Sequence, residues 1–217
     1  MRKVLVLAGL LLARPDARAQ ELDFVPPAPG TYKLQHILRA PEGTVLDCEG
    51  AAQRFSRFTT GRITVLSLIY TRCGDGRGCP LASYMLKSLK ARIDKRGGWS
   101  DLLRFVSLSF DPDHDTPAVM RAYGGGYAPD RIGLPWHFLT TRSHRELMPL
   151  LDGFGQDVWM PADPSAPATG PLPHVLKIFL IDRHGSIREI YTTSFLQPQM
   201  VLNDIETLLL EDGTRLD

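Results

Sequence analysis

The chain has almost no excess charge: 25 basic and 24 acidic residues in 217 give a formal net charge of +1. Such a balance provides no extended basic field for a nucleic-acid backbone, and nucleic acid is not an expected partner. Long apolar runs are also missing. The longest, Val4 to Ala13, has ten residues, well short of the roughly 20 that cross a bilayer as a helix. There is no internal repeat and no block of like charge, which leaves one ordinary domain. Cysteine is scarce. The three present, Cys48, Cys73 and Cys79, leave an odd one in any pairing scheme,.

What is present begins at the amino end. A basic opening, Met1-Arg-Lys, precedes the ten-residue apolar run, and Ala17-Arg-Ala19 forms a small-residue cleavage box. This pattern predicts a secretory signal peptide over residues 1–19, cut before Gln20. The remaining chain, residues 20–217, carries 21 basic and 23 acidic residues. Its length suits a single domain with a sizeable core. The expected product is soluble, exported or periplasmic, with no transmembrane anchor after cleavage.

The stretch that organises the rest is Tyr70-Thr-Arg-Cys73-Gly-Asp-Gly-Arg-Gly-Cys79-Pro80. Before it, Ile63 to Tyr70 is a β-branched and aliphatic run of strand length, as in a central strand buried on both faces. After it, Pro80 suits a first helical turn, and Leu81, Met85, Leu89 and Ile93 recur every four residues,. The two thiols therefore sit at a strand-to-helix corner. Orphan N–H groups and the helix dipole favour thiolate there, the form that attacks disulfides and binds soft metals. A permanent structural staple is the plain alternative. A short loop gains little stability from a bridge, and three glycines between the cysteines suggest a loop that changes shape.

Downstream, strands and helices alternate. Leu103 to Ser109 reads as a second apolar strand, and Thr116-Pro117 as the start of a helix ending near Tyr123,. Trp136 to Thr140 reads as a third strand, and Ser143 as the cap of a helix to Leu151. From Asp152 to Pro173, three glycines and five prolines mark a long loop, of a kind that usually carries function. Val175 to Asp182 and Ser186 to Thr192 form a hairpin about Arg183-His-Gly185, and Pro198 opens a last helix with Val201, Ile205, Leu208 and Leu209 on one face,. The expected class is α/β: a thioredoxin-like sandwich, with a central mixed β-sheet flanked by helices. Cys48 ends a short strand from Thr44; with no partner visible in the sequence it reads first as a buried thiol, with a third redox participant or an intermolecular link as alternatives.

Three segments together resemble the Sco/SenC family: Tyr70-Thr-Arg-Cys73 through Cys79-Pro80, Ser109-Phe-Asp-Pro-Asp-His-Asp-Thr-Pro117, and His174 before Val175-Leu-Lys-Ile-Phe-Leu-Ile-Asp. The resemblance runs from about Val45 to Leu210. It implies a thioredoxin-fold protein outside the cytoplasm that binds copper through two cysteines and one histidine. It also implies service to the copper centre of cytochrome c oxidase, as metal donor or as reductant of its cysteines. By position, Cys73, Cys79 and His174 would be the metal ligands, and Cys73 and Cys79 the redox pair. The implied partners are a copper-receiving oxidase subunit and a thiol reductant protein. One departure stands out. Family members usually have three residues between the cysteines, whereas this chain has five.

The donor set suits the resemblance. Two thiolates and an imidazole fit Cu(I), or Cu(II) with an added weak ligand, whereas structural zinc would want a fourth ligand. His114 is the first substitute for His174, and His137, His144 and His184 are expected to be non-ligands. Asp111, Asp113 and Asp115 read as a turn and caps rather than a hard-ion cage. Two other functions compete: a thiol-disulfide oxidoreductase of the thioredoxin or TlpA type, in which only the cysteines matter, and a peroxiredoxin-like peroxidase using Thr71 and Arg72.

Overall fold

Two runs of seven residues, Ile63–Ile69 and Leu103–Ser109, are buried at every position. Strands covered on both faces show no alternation, which is why both read as continuous apolar runs. The fold is that of a computed structural model, which describes residues 25–76, 78–96, 98–128, 132–158, 172, 174–193 and 196–214. The expected signal peptide, Arg77 and most of the long loop lie outside the described residues.

In chain order the elements are β1 (Leu38–Arg39), β2 (Thr44–Leu46), β3 (Ala52–Arg54), α1 (Ser56–Thr59), β4 (Ile63–Ile69), α2 (Cys79–Asp94) and β5 (Leu103–Ser109). They continue as α3 (Pro117–Gly125), β6 (Trp136–Leu139), α4 (His144–Gly153), β7 (Ile178–Ile181), β8 (Ser186–Tyr191) and α5 (Pro198–Glu211). Six strands form one sheet in the order β1-β8-β7-β4-β5-β6. β4, β5 and β6 run parallel, with Ile63 opposite Leu103 and Phe105 opposite Trp136. β7 joins β4 antiparallel, Thr64 opposite Ile181, and turns back into β8. The sheet is mixed and flanked by helices, as expected.

Local chemistry explains the joints. Thr116 accepts from the Val119 N–H and Pro117 follows it, so α3 starts where a cap and a first-turn proline coincide,. The β7–β8 turn closes because Asp182 Oδ1 accepts from the N–H groups of His184 and Ser186, each at 2.9 Å. Gly185 supplies the positive φ of 82° that the turn requires,. Within the sheet, Trp136 Nε1 donates to Ser107 Oγ at 3.0 Å, which lies 2.8 Å from Ser67 Oγ. Three buried polar groups are thus satisfied without water.

Several expectations are corrected. The strand expected over 175–182 shortens to Ile178–Ile181 because the segment before it turns away from the sheet. Val175 is exposed, its carbonyl accepts from Gln156 Nε2, and His174 bridges to Val158 instead. On α2, Leu81 and Met85 are only half-buried; the buried stripe is Ala82, Leu86, Leu89 and Ile93. Ser143 makes no side-chain cap, and Glu146 instead accepts from the backbone N–H and guanidinium of Arg142. Cys48 is half-buried rather than buried, with its thiol donating to the Phe138 carbonyl at 3.2 Å.

Candidate metal centre

β4 ends at Ile69, and the next four residues carry the chain to Cys73, whose N–H donates to the Tyr70 carbonyl at 3.3 Å. The spacer then turns. Gly78 N–H donates to the Asp75 carbonyl at 2.9 Å, and Cys79 opens α2 with Pro80 behind it. A Cβ on Gly78 would lie 3.3 Å from Cys73 Sγ, so glycine there lets backbone pass close to the sulfur. Gly74 and Gly76 face open space. The result is two thiols at the carboxyl end of the central strand, Cys73 9% exposed and Cys79 1%.

His174 reaches the same point from a chain segment 95 residues further on, its Nε2 3.6 Å from Cys79 Sγ. Its Nδ1 lies 2.7 Å from the Leu172 carbonyl oxygen. A carbonyl only accepts, so Nδ1 carries the proton and Nε2 keeps its lone pair facing the sulfur. The ring is held between Phe110, centroids 5.0 Å apart, and Tyr70, 5.5 Å apart at 84°. One donor atom from each of Cys73, Cys79 and His174 lies within 4.8 Å of the others. Among the described residues, no other group of histidine, cysteine and carboxylate side chains converges in this way.

The acidic segment after β5 has a different part from the one expected. Asp115, fully buried, accepts from Thr71 N–H at 3.0 Å, Thr71 Oγ1 at 2.5 Å and Ser109 Oγ at 2.5 Å. Asp111 Oδ2 accepts from Arg72 Nη2 at 2.8 Å and from Nε at 3.3 Å. These carboxylates clamp the two residues that precede Cys73. A turn and caps were expected of them; the α3 cap is Thr116, and Thr71 and Arg72, the partners of these carboxylates across the sheet, lie about 40 positions away and carry no local signal.

The other histidines stand apart. His114 is exposed on the surface loop. His137 packs against the Phe58 ring, and burial, with help from Arg104, Arg62 and Arg57, pulls its pKa down to about 4. His144 Nδ1 lies 3.6 Å from Asp113 Oδ2. His184 is exposed in the β7–β8 turn.

The thiols are not poised as a helix amino terminus alone would have them. Burial is the largest influence on Cys79 and pushes its thiol well above the ordinary range, with Cys73 adding to the rise. Backbone N–H groups pull the other way and are outweighed,. The metal-free site therefore holds a protonated Cys79 whose S–H points at His174 Nε2. Two buried sulfurs and one half-buried imidazole are a soft, three-donor set that can take a thiophilic ion or close as a disulfide,.

Comparison with curated protein sequences returns no significant match. Among solved structures, Arabidopsis thaliana ScoI with copper bound superposes with a TM-score of 0.66 at 16% identity, covering 80% of this chain and 99% of its own. Bradyrhizobium japonicum ScoI with copper bound gives 0.63 at 20% identity over 79% and 100%, and yeast Sco1 with copper bound 0.62 at 16% over 79% and 90%. At these identities the likeness speaks for the fold. A family model described as SCO1/SenC matches residues 44–210. That single run takes in the cysteine loop, the acidic clamp and His174, and the chain belongs to the SCO1/SenC family.

Proposed function

We propose that this protein binds one copper ion through Cys73, Cys79 and His174 and serves the assembly of the copper centre of a respiratory cytochrome oxidase. The carrying observation is the convergence of two sulfurs and an imidazole nitrogen within 4.8 Å, with no fourth histidine, cysteine or carboxylate donor joining them among the described residues. The set fits the ion: soft sulfur donors suit Cu(I), and a site left short of ligands can pass its ion on more readily than a closed four-ligand cage. Here copper is cargo. The family relatives solved with copper bound support the choice of metal.

The chain's own residues do the following in this reading. Leu172 fixes the histidine tautomer so that Nε2 is the donor atom,. Phe110 and Tyr70 hold the ring between them, and Asp115 and Asp111 set the backbone leading to Cys73. Binding the ion displaces the Cys79 proton. The acceptor would be a copper-receiving oxidase subunit, and a thiol reductant protein would return the cysteines to the reduced state. Export is part of the proposal, through a signal peptide over residues 1–19. Among the described residues, no helix is long and apolar enough to cross a membrane.

A thiol-disulfide oxidoreductase without metal transfer is the second reading, favoured by the proximity of the two sulfurs. The peroxidase reading loses its support, because Thr71 and Arg72 are both engaged by carboxylates. Metal analysis of anaerobically purified protein beside a thiol count decides between the other two. Copper at one ion per chain with both thiols reduced, and weakened retention in His174→Ala, is the expected result. Equal copper retention in wild type and His174→Ala removes the histidine from the site, and no copper in either supports the oxidoreductase.

A further inference from the structure

β6 is an end strand of the six-stranded sheet, paired with β5. The Phe105 N–H donates to the Pro135 carbonyl at 2.8 Å. Hydrogen-bonding direction alternates along a strand, so Pro135, His137 and Leu139 turn their backbone groups to β5, while Trp136, Phe138 and Thr140 turn theirs outward. Thr140 uses that outer edge, exchanging both backbone bonds with Leu46, at 2.7 and 3.0 Å, in an antiparallel bridge. The chain then leaves the edge, because Asp47 Oδ1 accepts from the N–H groups of Glu49 and Ala51 and folds this segment into a turn. Among the described residues, the outward N–H groups of Trp136 and Phe138 and the Trp136 carbonyl meet no partner. The Phe138 carbonyl takes the Cys48 thiol, a weak donor, at 3.2 Å,.

This open edge lines a cleft of about 450 Å³, within the size range of ligand sites. The turn that carries Cys48 makes one wall, and Arg121, Gly124, Gly125 and Ala128 make the other. Gly124 closes on the floor, since a Cβ there would lie 2.6 Å from the Phe138 ring, whereas a Cβ on Gly125 would meet nothing within 4 Å. We propose that the cleft docks an extended peptide segment of a partner protein, added antiparallel to β6 in line with β2. Two alternate residues of the guest exchange backbone bonds with Phe138 and Trp136, as Leu46 does with Thr140, and an amide donor replaces the thiol at the Phe138 carbonyl. Their side chains fall on the face of the Trp136 and Phe138 rings, where Gly125 and Ala128 leave room, so apolar residues suit both positions. A second copy of this chain does not fit as the guest: its own β6 lies in the same kind of cleft, and two recessed edges cannot meet. β6 is two strand spacings, roughly 10 Å, from β4, which leads to Cys73,. A partner gripped there is tethered near the thiols, whichever metal they bind.

The probe is acetyl-Thr-Val-Thr-Val-Thr-amide, titrated into the reduced full chain while backbone amide shifts are read by NMR. Its two valines are the residues that pair with Phe138 and Trp136. The expected result is saturable shifts at the Trp136 and Phe138 amides, with slowed hydrogen exchange at both. Methylating the two valine nitrogens removes the donors that face β6 and should weaken binding about tenfold or more. Methylating the central threonine nitrogen, which faces away, should change it little. Gly125→Leu places a side chain in the open part of the cleft and should abolish binding; if that variant does not fold, the pair of methylated peptides stands as the test. No shift at Trp136 and Phe138 up to millimolar peptide, equal binding by the valine-methylated peptide, or undiminished binding in Gly125→Leu overturns the docking site. Concentration-dependent dimerisation that shifts the same two amides without added peptide overturns it in favour of a second copy.

Discussion

Asp115→Asn tests whether the acidic clamp holds the cysteine loop. In the native chain Oδ2 takes two donors, Thr71 N–H and Ser109 Oγ, and Oδ1 takes Thr71 Oγ1. Asparagine has nearly the same shape. With its carbonyl placed where Oδ2 was, it keeps the first two bonds as neutral ones, and its amide faces Thr71 Oγ1, which must rotate to accept. Hydrogen bonds to a charged acceptor contribute about 1.5–3 kcal/mol each and neutral ones about 1. Weakening two bonds and reorienting a third, with some relaxation, should cost about 2–3 kcal/mol. Asp115→Ala should cost more, since the buried Ser109 hydroxyl and the part-buried hydroxyl and amide of Thr71 would lose their acceptor,. Urea unfolding of the reduced, metal-free protein measures the loss. Because Thr71 lies two residues before Cys73, Cu(I) affinity should fall too, and Thr71→Val should couple to Asp115→Asn in a double-mutant cycle. A loss under about 0.5 kcal/mol, the range of an ordinary surface change, would refute the clamp.

Burial keeps Cys79 protonated in the metal-free protein, so Cu(I) uptake should release its proton. Apparent affinity should then rise about tenfold per pH unit between about pH 6 and 8, read by competition at several pH values. The folded pKa is raised above the unfolded one, so the stability this group contributes to the reduced protein is present below the ordinary thiol pKa. It should be lost as pH climbs above that value, visible in urea midpoints. Oxidation to the Cys73–Cys79 disulfide should abolish copper binding, and undiminished one-to-one binding by the oxidised protein would contradict the two-sulfur site. Gly76→Ala should leave copper affinity unchanged, since its Cβ meets nothing within 4 Å. Gly78→Ala should lower it by crowding Cys73 Sγ at 3.3 Å.

The parts readable from the sequence share one property: their signal is local. The bounds of β5 agree with the apolar run Leu103–Ser109 to the residue, and α5 starts at Pro198. What could not be read is set by distant contacts. β1 is two residues long, too short for any periodicity, and exists because the distant strand β8 offers it a backbone partner, Leu38 opposite Ile187,. The convergence of His174 on the cysteines came through resemblance, since nothing between residues 79 and 174 encodes the distance. The thiolate expectation failed for Cys79 for a similar reason: a helix amino terminus is visible in the sequence, whereas the burial that outweighs it depends on the whole fold.

The position of β4 in the sheet has a consequence for the order in which the protein can be made. Its parallel neighbour β5 arrives about 40 residues later, but its other neighbour, β7, arrives more than 100 residues later, and His174 enters just ahead of β7. Such long-range pairings are closed late, because a large loop must be ordered before the contact rewards it. A chain emerging into an oxidising compartment would present its two thiols well before the imidazole that completes the site, with the unpaired side of β4 open. In that interval disulfide closure is possible and the three-donor site is not. Under the proposed export and copper-binding role, a newly made molecule would therefore be expected to meet a thiol reductant before it meets copper.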